Sequence, residues 1–221
     1  GITFCKIVKS DHRTSHIPFL LLTSRAEEVQ QLQGYETGAD GYVTKPFRMD
    51  ILRARIRNLI SLRKSFQAQF GKRKNIETNE IAINSLDDQF LKKSVQVVET
   101  NIANPDFTVE ELSREMAMSR MKRFKKILAL TGKPPLEFIR TIRMQRAAIL
   151  LEQSQLSVSE IAYQVGYNNP KYFAKLFKEE YQMLPTEYRR QSIQITLYEW
   201  VLHHFRENYC EIYKNQDIKV C

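Results

Sequence analysis

Glycine, histidine and cysteine are scarce, with seven, four and three in 221 residues, and each scarcity removes a class of chemistry. No glycine-rich phosphate cradle and no nucleophile elbow can be found. Cys5, Cys210 and Cys221 are scattered without metal-ligand spacing and are odd in number, which argues against a disulfide framework and for a reducing cytoplasm. His12 and His16 have i, i+4 spacing but flank a polar loop, and the adjacent His203 and His204 point apart, so neither pair reads as a zinc site. Apolar runs are short: the longest, Ile17 to Leu22, has strand length, so no membrane contact is expected, and no basic-then-apolar leader opens the chain. These absences leave little for an enzyme, and no cofactor or metal is expected.

Acidic residues are also missing where basic ones concentrate. Arg53 to Lys74 holds eight basic residues and Arg120 to Lys133 six, with no acid in either stretch, and the net charge is +9. A polyanion partner fits such a balance.

Residues 107–188 carry the same helical design twice. Phe107-Thr-Val-Glu-Glu-Leu-Ser-Arg-Glu-Met-Ala-Met-Ser119 aligns with Leu156-Ser-Val-Ser-Glu-Ile-Ala-Tyr-Gln-Val-Gly-Tyr-Asn168 at an offset of 49 positions. Two copies are too few for a solenoid and read instead as a duplicated helix-turn-helix. Thr108 with Glu111, and Ser157 with Glu160, form capping boxes that start the first helix of each copy. Those helices end at the small residues Ala117 and Gly166, and the second helices begin at about Ser119 and Asn169. The second helix of such a motif enters the major groove and reads bases with its N-terminal side chains. Candidate DNA contacts are therefore Arg120, Met121, Lys122, Lys125 and Lys126 in the first copy, and Asn169, Pro170, Lys171, Tyr172 and Lys175 in the second. Phe173, Leu176 and Phe177 read as core. A long helix from Pro134 to Gln153 joins the copies, with Leu136, Phe138, Ile139, Ile142, Ala147, Leu150 and Leu151 apolar. Its Arg140, Arg143 and Arg146 either meet phosphates or form a solvated face. Two heads reading one face of a duplex need a spacing of about 34–36 Å.

Upstream, Leu86 to Asn104 is helical, with Phe90, Val97, Val98 and Ile102 apolar, and Asn104-Pro105 stops it. Residues 63–85 read as a linker, either irregular throughout or helical at first as a continuation of Arg48–Leu62. Residues 1–62 alternate strand and helix, the sign of an α/β unit with a parallel sheet. The strands are His16–Ser24 and Tyr42–Thr44, and the helices are Arg25–Leu32, with Ser24 and Glu27 at its cap, and Arg48–Leu62, with an apolar stripe of Ile51, Leu52, Ile56, Leu59 and Ile60. The tail from Gln191 to Cys221 carries Leu197, Trp200, Val201, Phe205 and Tyr209 at helical spacing.

Two stretches match families. Leu21-Leu22-Thr23-Ser24 followed by Gly38-Ala-Asp-Gly-Tyr-Val-Thr-Lys-Pro-Phe47 resembles the second half of a response-regulator receiver domain. That resemblance implies Thr23 as the switch hydroxyl, Tyr42 as the switch aromatic, Lys45 as the cation facing a phosphoryl group, and a cis bond before Pro46. The family's phosphoacceptor and acidic metal pair belong to strands that would precede Gly1, and neither Asp11 nor Asp40 replaces them. Phosphate uptake by this chain is therefore not expected, and the exposed sheet edge is open to pairing.

Ile161 to Lys178, followed by Pro185-Thr-Glu-Tyr-Arg189, makes residues 86–190 resemble the DNA-binding domain of AraC/XylS-type transcription regulators. Together the two resemblances imply a mainly α fold, a tandem helix-turn-helix domain preceded by a partial α/β receiver domain. They further imply the output part of a hybrid two-component phosphorelay. The implied partners are double-stranded DNA, RNA polymerase, a homodimer partner, and upstream receiver or sensor segments. Arg123 departs from the family by standing where a buried leucine or aromatic is usual, with Phe124, Ile127 and Leu128 as an alternative apolar face. Gln182 and Leu184 replace the usual glycine and small hydroxyl residue before Pro185. A protein-interaction module, or a segment without specific DNA binding, is the alternative class.

Overall fold

The computed structural model describes residues 1–24, 37–70 and 85–194. The expected helix at Arg25–Leu32 and the apolar tail residues Leu197 to Tyr209 lie outside them, as does most of the linker. The described chain is mainly helical, and none of its helices is long and apolar enough to cross a membrane. Two compact units can be distinguished, residues 1–145 and residues from 146 onward.

The first unit opens with α1 (Ile2–Ser10), a helix the sequence pattern did not announce. Strands β1 (Leu20–Thr23) and β2 (Gly41–Thr44) pair in parallel with Leu20 opposite Gly41 and Thr23 opposite Thr44. At Gly41 a Cβ would lie 2.6 Å from the end of the Leu20 side chain, so glycine lets that leucine lie across the paired strand, and a larger residue would have to turn it aside. Cys5, Leu21 and Tyr42 form a small core between helix and sheet. The Lys45–Pro46 bond is cis, as the receiver resemblance implies.

Helix α2 (Met49–Phe70) follows, running past residue 62 into the segment read as linker. Its expected stripe is divided: Leu52 and Leu59 are half-buried, whereas Ile51, Ile56 and Ile60 are exposed. A sheet of two short strands covers only one side of such a helix. Instead α2 delivers Phe70 into the core of the first helical module, where it stacks on Phe138 with ring centroids 5.5 Å apart.

That core gathers Leu91, Val98, Leu112, Ile127 and Phe138 from α3 (Ser85–Thr100), α4 (Val109–Glu115), α5 (Arg120–Thr131) and α6 (Pro135–Gln153). Leu136, expected among the apolar positions of α6, is 71% exposed, because at the first turn it faces away from this core. Arg143, expected outward, is buried and donates to the Asn104 carbonyl at 2.6 Å.

In the second unit, α7 (Val158–Gln164), α8 (Pro170–Tyr181) and a helix over 185–194 surround Phe173, Phe177 and Tyr188. Phe177 stacks on Tyr181 and meets Tyr188 edge-on, and the Tyr188 hydroxyl donates to Glu152 at 2.8 Å. Gln182 takes the left-handed conformation at the end of α8 (φ 59°) as Gly132 does at the end of α5 (φ 72°), each donating to the carbonyl four residues back. The turn before Pro185 therefore forms without glycine. Leu184 enters it by donating its backbone N–H to Glu187 at 2.8 Å.

Candidate nucleic-acid interface

Both copies of the helix-turn-helix begin with the capping box that the sequence specifies. Thr108 accepts from the Glu111 N–H while the Glu111 carboxylate accepts from Thr108, and Ser157 and Glu160 repeat the exchange. Two of the helix's unsatisfied N–H groups are thereby paired. In the turn, Ala117 and Gly166 occupy the same place with positive φ, 48° and 79°. The N-caps of the second helices are Ser119 and Asn169, an offset of 50, one more than the 49 between Ala117 and Gly166. The second turn is thus one residue longer.

Helix α8 separates its faces cleanly. Phe173, Leu176 and Phe177 are buried, and Lys171, Tyr172 and Lys175 are exposed. Asn169 is exposed, but its Oδ1 accepts from the Lys171 and Tyr172 N–H groups, so that oxygen caps the helix and only the amide nitrogen is left to face a ligand. Pro170 at the first helical turn is half-buried. The Tyr172 ring leans on Tyr167 with centroids 6.4 Å apart, which limits its rotamers before any partner arrives.

Helix α5 is built differently at the same places. At the 50-residue offset, Arg123, Lys126 and Ile127 correspond to Phe173, Leu176 and Phe177, and all three are buried. The Arg123 guanidinium donates to the Val109 carbonyl at 3.2 Å, the Met118 carbonyl at 3.1 Å and the Ser113 hydroxyl. Arg123 therefore ties α4 and the turn to α5, and its burial carries hydrogen bonds that offset desolvation. The expected alternative face is corrected with it: Ile127 points inward, but Phe124 and Leu128 are exposed.

Met121 is 65% exposed, and Lys122 and Lys125 are exposed. Arg120 opens the helix, its side chain lying outside the described residues. Lys126 is the correction among the expected contacts. It is 0% exposed and pairs with Asp87 at 2.9 Å. It also donates to the Ser15 hydroxyl at 2.9 Å and to the His12 carbonyl, with its ammonium 4.8 Å from the Phe90 ring centre. All three ammonium hydrogens have acceptors inside the protein, so no phosphate can be reached from there. Burial pushes its pKa down, and Asp87 works in the opposite direction. Asp87, Ser15 and His12 could not be found as its partners from the sequence, since 39 to 114 positions separate them from Lys126.

The three receiver-type residues share one place. Thr23 (half-buried), Tyr42 (buried) and Lys45 (exposed) line a cavity of about 440 Å³ with no carboxylate in its described lining. Asp40 is committed elsewhere, accepting from the Phe19 N–H at 2.6 Å and pairing with Lys9 at 2.5 Å. Asp11 is held by Arg13, whose guanidinium pulls its pKa well below the usual carboxylate range.

A family model described as a helix-turn-helix domain matches residues 112–191. The matched residues take in both second helices of the duplicated motif, α5 and α8. The chain is 44% identical over 191 residues to "Histidine kinase P4" of Formosa agariphila, covering 86% of this chain and 14% of that protein. It is 40% identical over 85 residues to an uncharacterized HTH-type transcriptional regulator of Haemophilus influenzae, covering 38% of this chain and 28% of that protein. Among solved structures, the C-terminal domain of the two-component response regulator yesN from Fusobacterium nucleatum is 31% identical, with a TM-score of 0.41 over 45% of this chain and 97% of that one. The chain thus spans less than a third of the length of either curated relative.

Proposed function

We propose that this chain is a sequence-specific, DNA-binding transcription regulator, the output part of a two-component phosphorelay acting in the cytoplasm, without catalytic chemistry of its own. The observation that carries the reading is the division of α8: Lys171, Tyr172 and Lys175 project from a helix whose opposite face is locked by three buried aromatic or aliphatic side chains. A basic helix held rigid from behind, in an AraC-type helix-turn-helix, is suited to the major groove. Met121, Lys122 and Lys125 extend the reading to α5. In this reading residues 1–62 are a receiver half, with Thr23, Tyr42 and Lys45 as its switch residues. Residues 86–190 read DNA, and RNA polymerase, a second copy of the chain and upstream receiver or sensor segments are the further partners.

Base contacts specify a site, whereas phosphate contacts mainly position the protein. Lys171→Ala is therefore expected to weaken binding to a selected operator by about fivefold to a hundredfold, and to weaken binding to a scrambled duplex far less. Arg140→Ala should weaken both about equally. Site selection from random duplexes followed by fluorescence anisotropy measures both; equal losses for Lys171→Ala would place that side chain on the backbone, and no selected sequence would overturn the reading.

A further inference from the structure

Position 126 belongs to the core face of a recognition helix, as Leu176 does in the other copy. A lysine there must find acceptors, and two of its three come from loop 11–16, which leads from α1 toward β1 in the α/β part of the chain. Ser15 joins the cluster fully, since its hydroxyl donates to Asp87 at 2.7 Å while accepting from Lys126. The same loop runs beside the N-terminal end of α5. Asp11, His12 and Arg13 form one wall of a cleft of about 540 Å³ whose other wall includes Met118, Ser119 and Lys122. That end of the helix is the one from which side chains reach base edges. Helix α2 adds a second tie, with Gln67 donating to the Ala129 carbonyl at 2.7 Å and Arg63 to the His16 carbonyl.

From this juxtaposition we propose that loop 11–16 is a latch on the first reading head: docked on Lys126, it closes one side of the N-terminal end of α5 to DNA, and withdrawn, it opens it. The inference rests on the DNA-reading function proposed above. Its chemistry suits a reversible contact. When the loop leaves, Lys126 keeps Asp87 and water takes the places of the His12 carbonyl and the Ser15 hydroxyl, while Ser15 also gives up its bonds to Asp87 and Lys9 and the His16 carbonyl its bond to Arg63. An equilibrium of that kind is shifted by any event upstream that favours one loop position. A leucine at 126 would offer the loop no anchor.

The test uses the full chain and a mixed-sequence duplex of about three helical turns, with anisotropy for affinity and hydrogen exchange for the loop. Ser15→Ala removes one anchor and is expected to tighten binding roughly threefold to tenfold while the amides of residues 11–16 exchange faster. Lys126→Leu combined with Asp87→Asn places in α5 the residue found at Leu176, and is expected to give the same gain if Ser15→Ala proves unstable. Folded variants that bind no better than the parent chain overturn the latch. If no form binds duplex, the DNA-reading function fails, and exchange alone decides the latch: release of 11–16 in both variants supports the docking, and unchanged exchange overturns it.

Discussion

The two reading heads share a capping box, a left-handed turn residue and a basic second helix, yet they fill the same buried positions with different chemistry. In the second head Phe173, Leu176 and Phe177 make a dry face that needs nothing beyond its own module. In the first, Arg123 and Lys126 stand beside Ile127; backbone carbonyls, Ser113, Asp87 and a loop some 110 residues upstream accept from them, and the Arg123 Nε–H is buried without an acceptor. An apolar face is indifferent to what lies beyond it, because burial is non-directional. A buried cation is demanding, because each hydrogen left without an acceptor costs free energy. The first head is therefore committed to the α/β part of the chain through specific hydrogen bonds, and the second head carries no such debt at the corresponding positions.

The largest expected difference comes from removing the counter-charge. Asp87→Ala leaves Lys126 buried beside neutral partners and should destabilise residues 1–145 by about 3–5 kcal/mol. The cut in the second head, Leu176→Ala, should cost about 2–5 kcal/mol through lost packing alone. Urea denaturation measures both losses, and an Asp87→Ala loss smaller than that of Leu176→Ala would remove the difference between the heads.

Acid is expected to act on the first unit ahead of the second. Burial, and then the Lys126 charge, hold the His16 pKa down at about 4, against an ordinary value near 6.5. Between those values the unfolded chain binds a proton that the folded one refuses, so stability is full above about pH 6.5, falls as pH drops toward 4, and changes no further from this group below it. The loss should be on the order of 1–3 kcal/mol. Residues 146–194 hold no histidine. Exchange of α5 and α8 amides across that window reads the two heads separately, and a His16→Gln variant that keeps the same slope would reject the assignment.

The smallest effect lies in the turns. Ala117 holds φ 48° where the second head has Gly166 at φ 79°. Relief of left-handed strain makes Ala117→Gly stabilising by up to about 1 kcal/mol, and Gly166→Ala should cost about 1–2 kcal/mol. Thermal unfolding of the two variants should therefore shift in opposite directions, and shifts of the same sign would break the equivalence of the turns.

Local signals account for most of what could be read in advance. The capping boxes at Thr108 and Ser157 involve residues three apart, and the face of α8 repeats every three or four, so both lie within a short window of sequence. The outward position of Lys171, Tyr172 and Lys175, the contacts of the proposed function, followed from that periodicity. The same rule failed for Lys126, for Arg143 and for the stripe of α2, whose environments are supplied by distant segments. Helix α1 carried no side-chain cap that would mark its start.

The amino-acid order by itself determined that this chain holds a duplicated helix-turn-helix, where each copy starts, and which helix of each copy is basic, because those features depend on neighbours within a turn or two. Tertiary structure decided which of the basic side chains remain available. Lys122 and Lys126 are one helical turn apart on α5 and alike in charge, yet one faces solvent and the other is enclosed by Asp87, Ser15, His12 and Phe90. A charge is directed by the acceptors that surround it, and those come from wherever the folded chain happens to bring them.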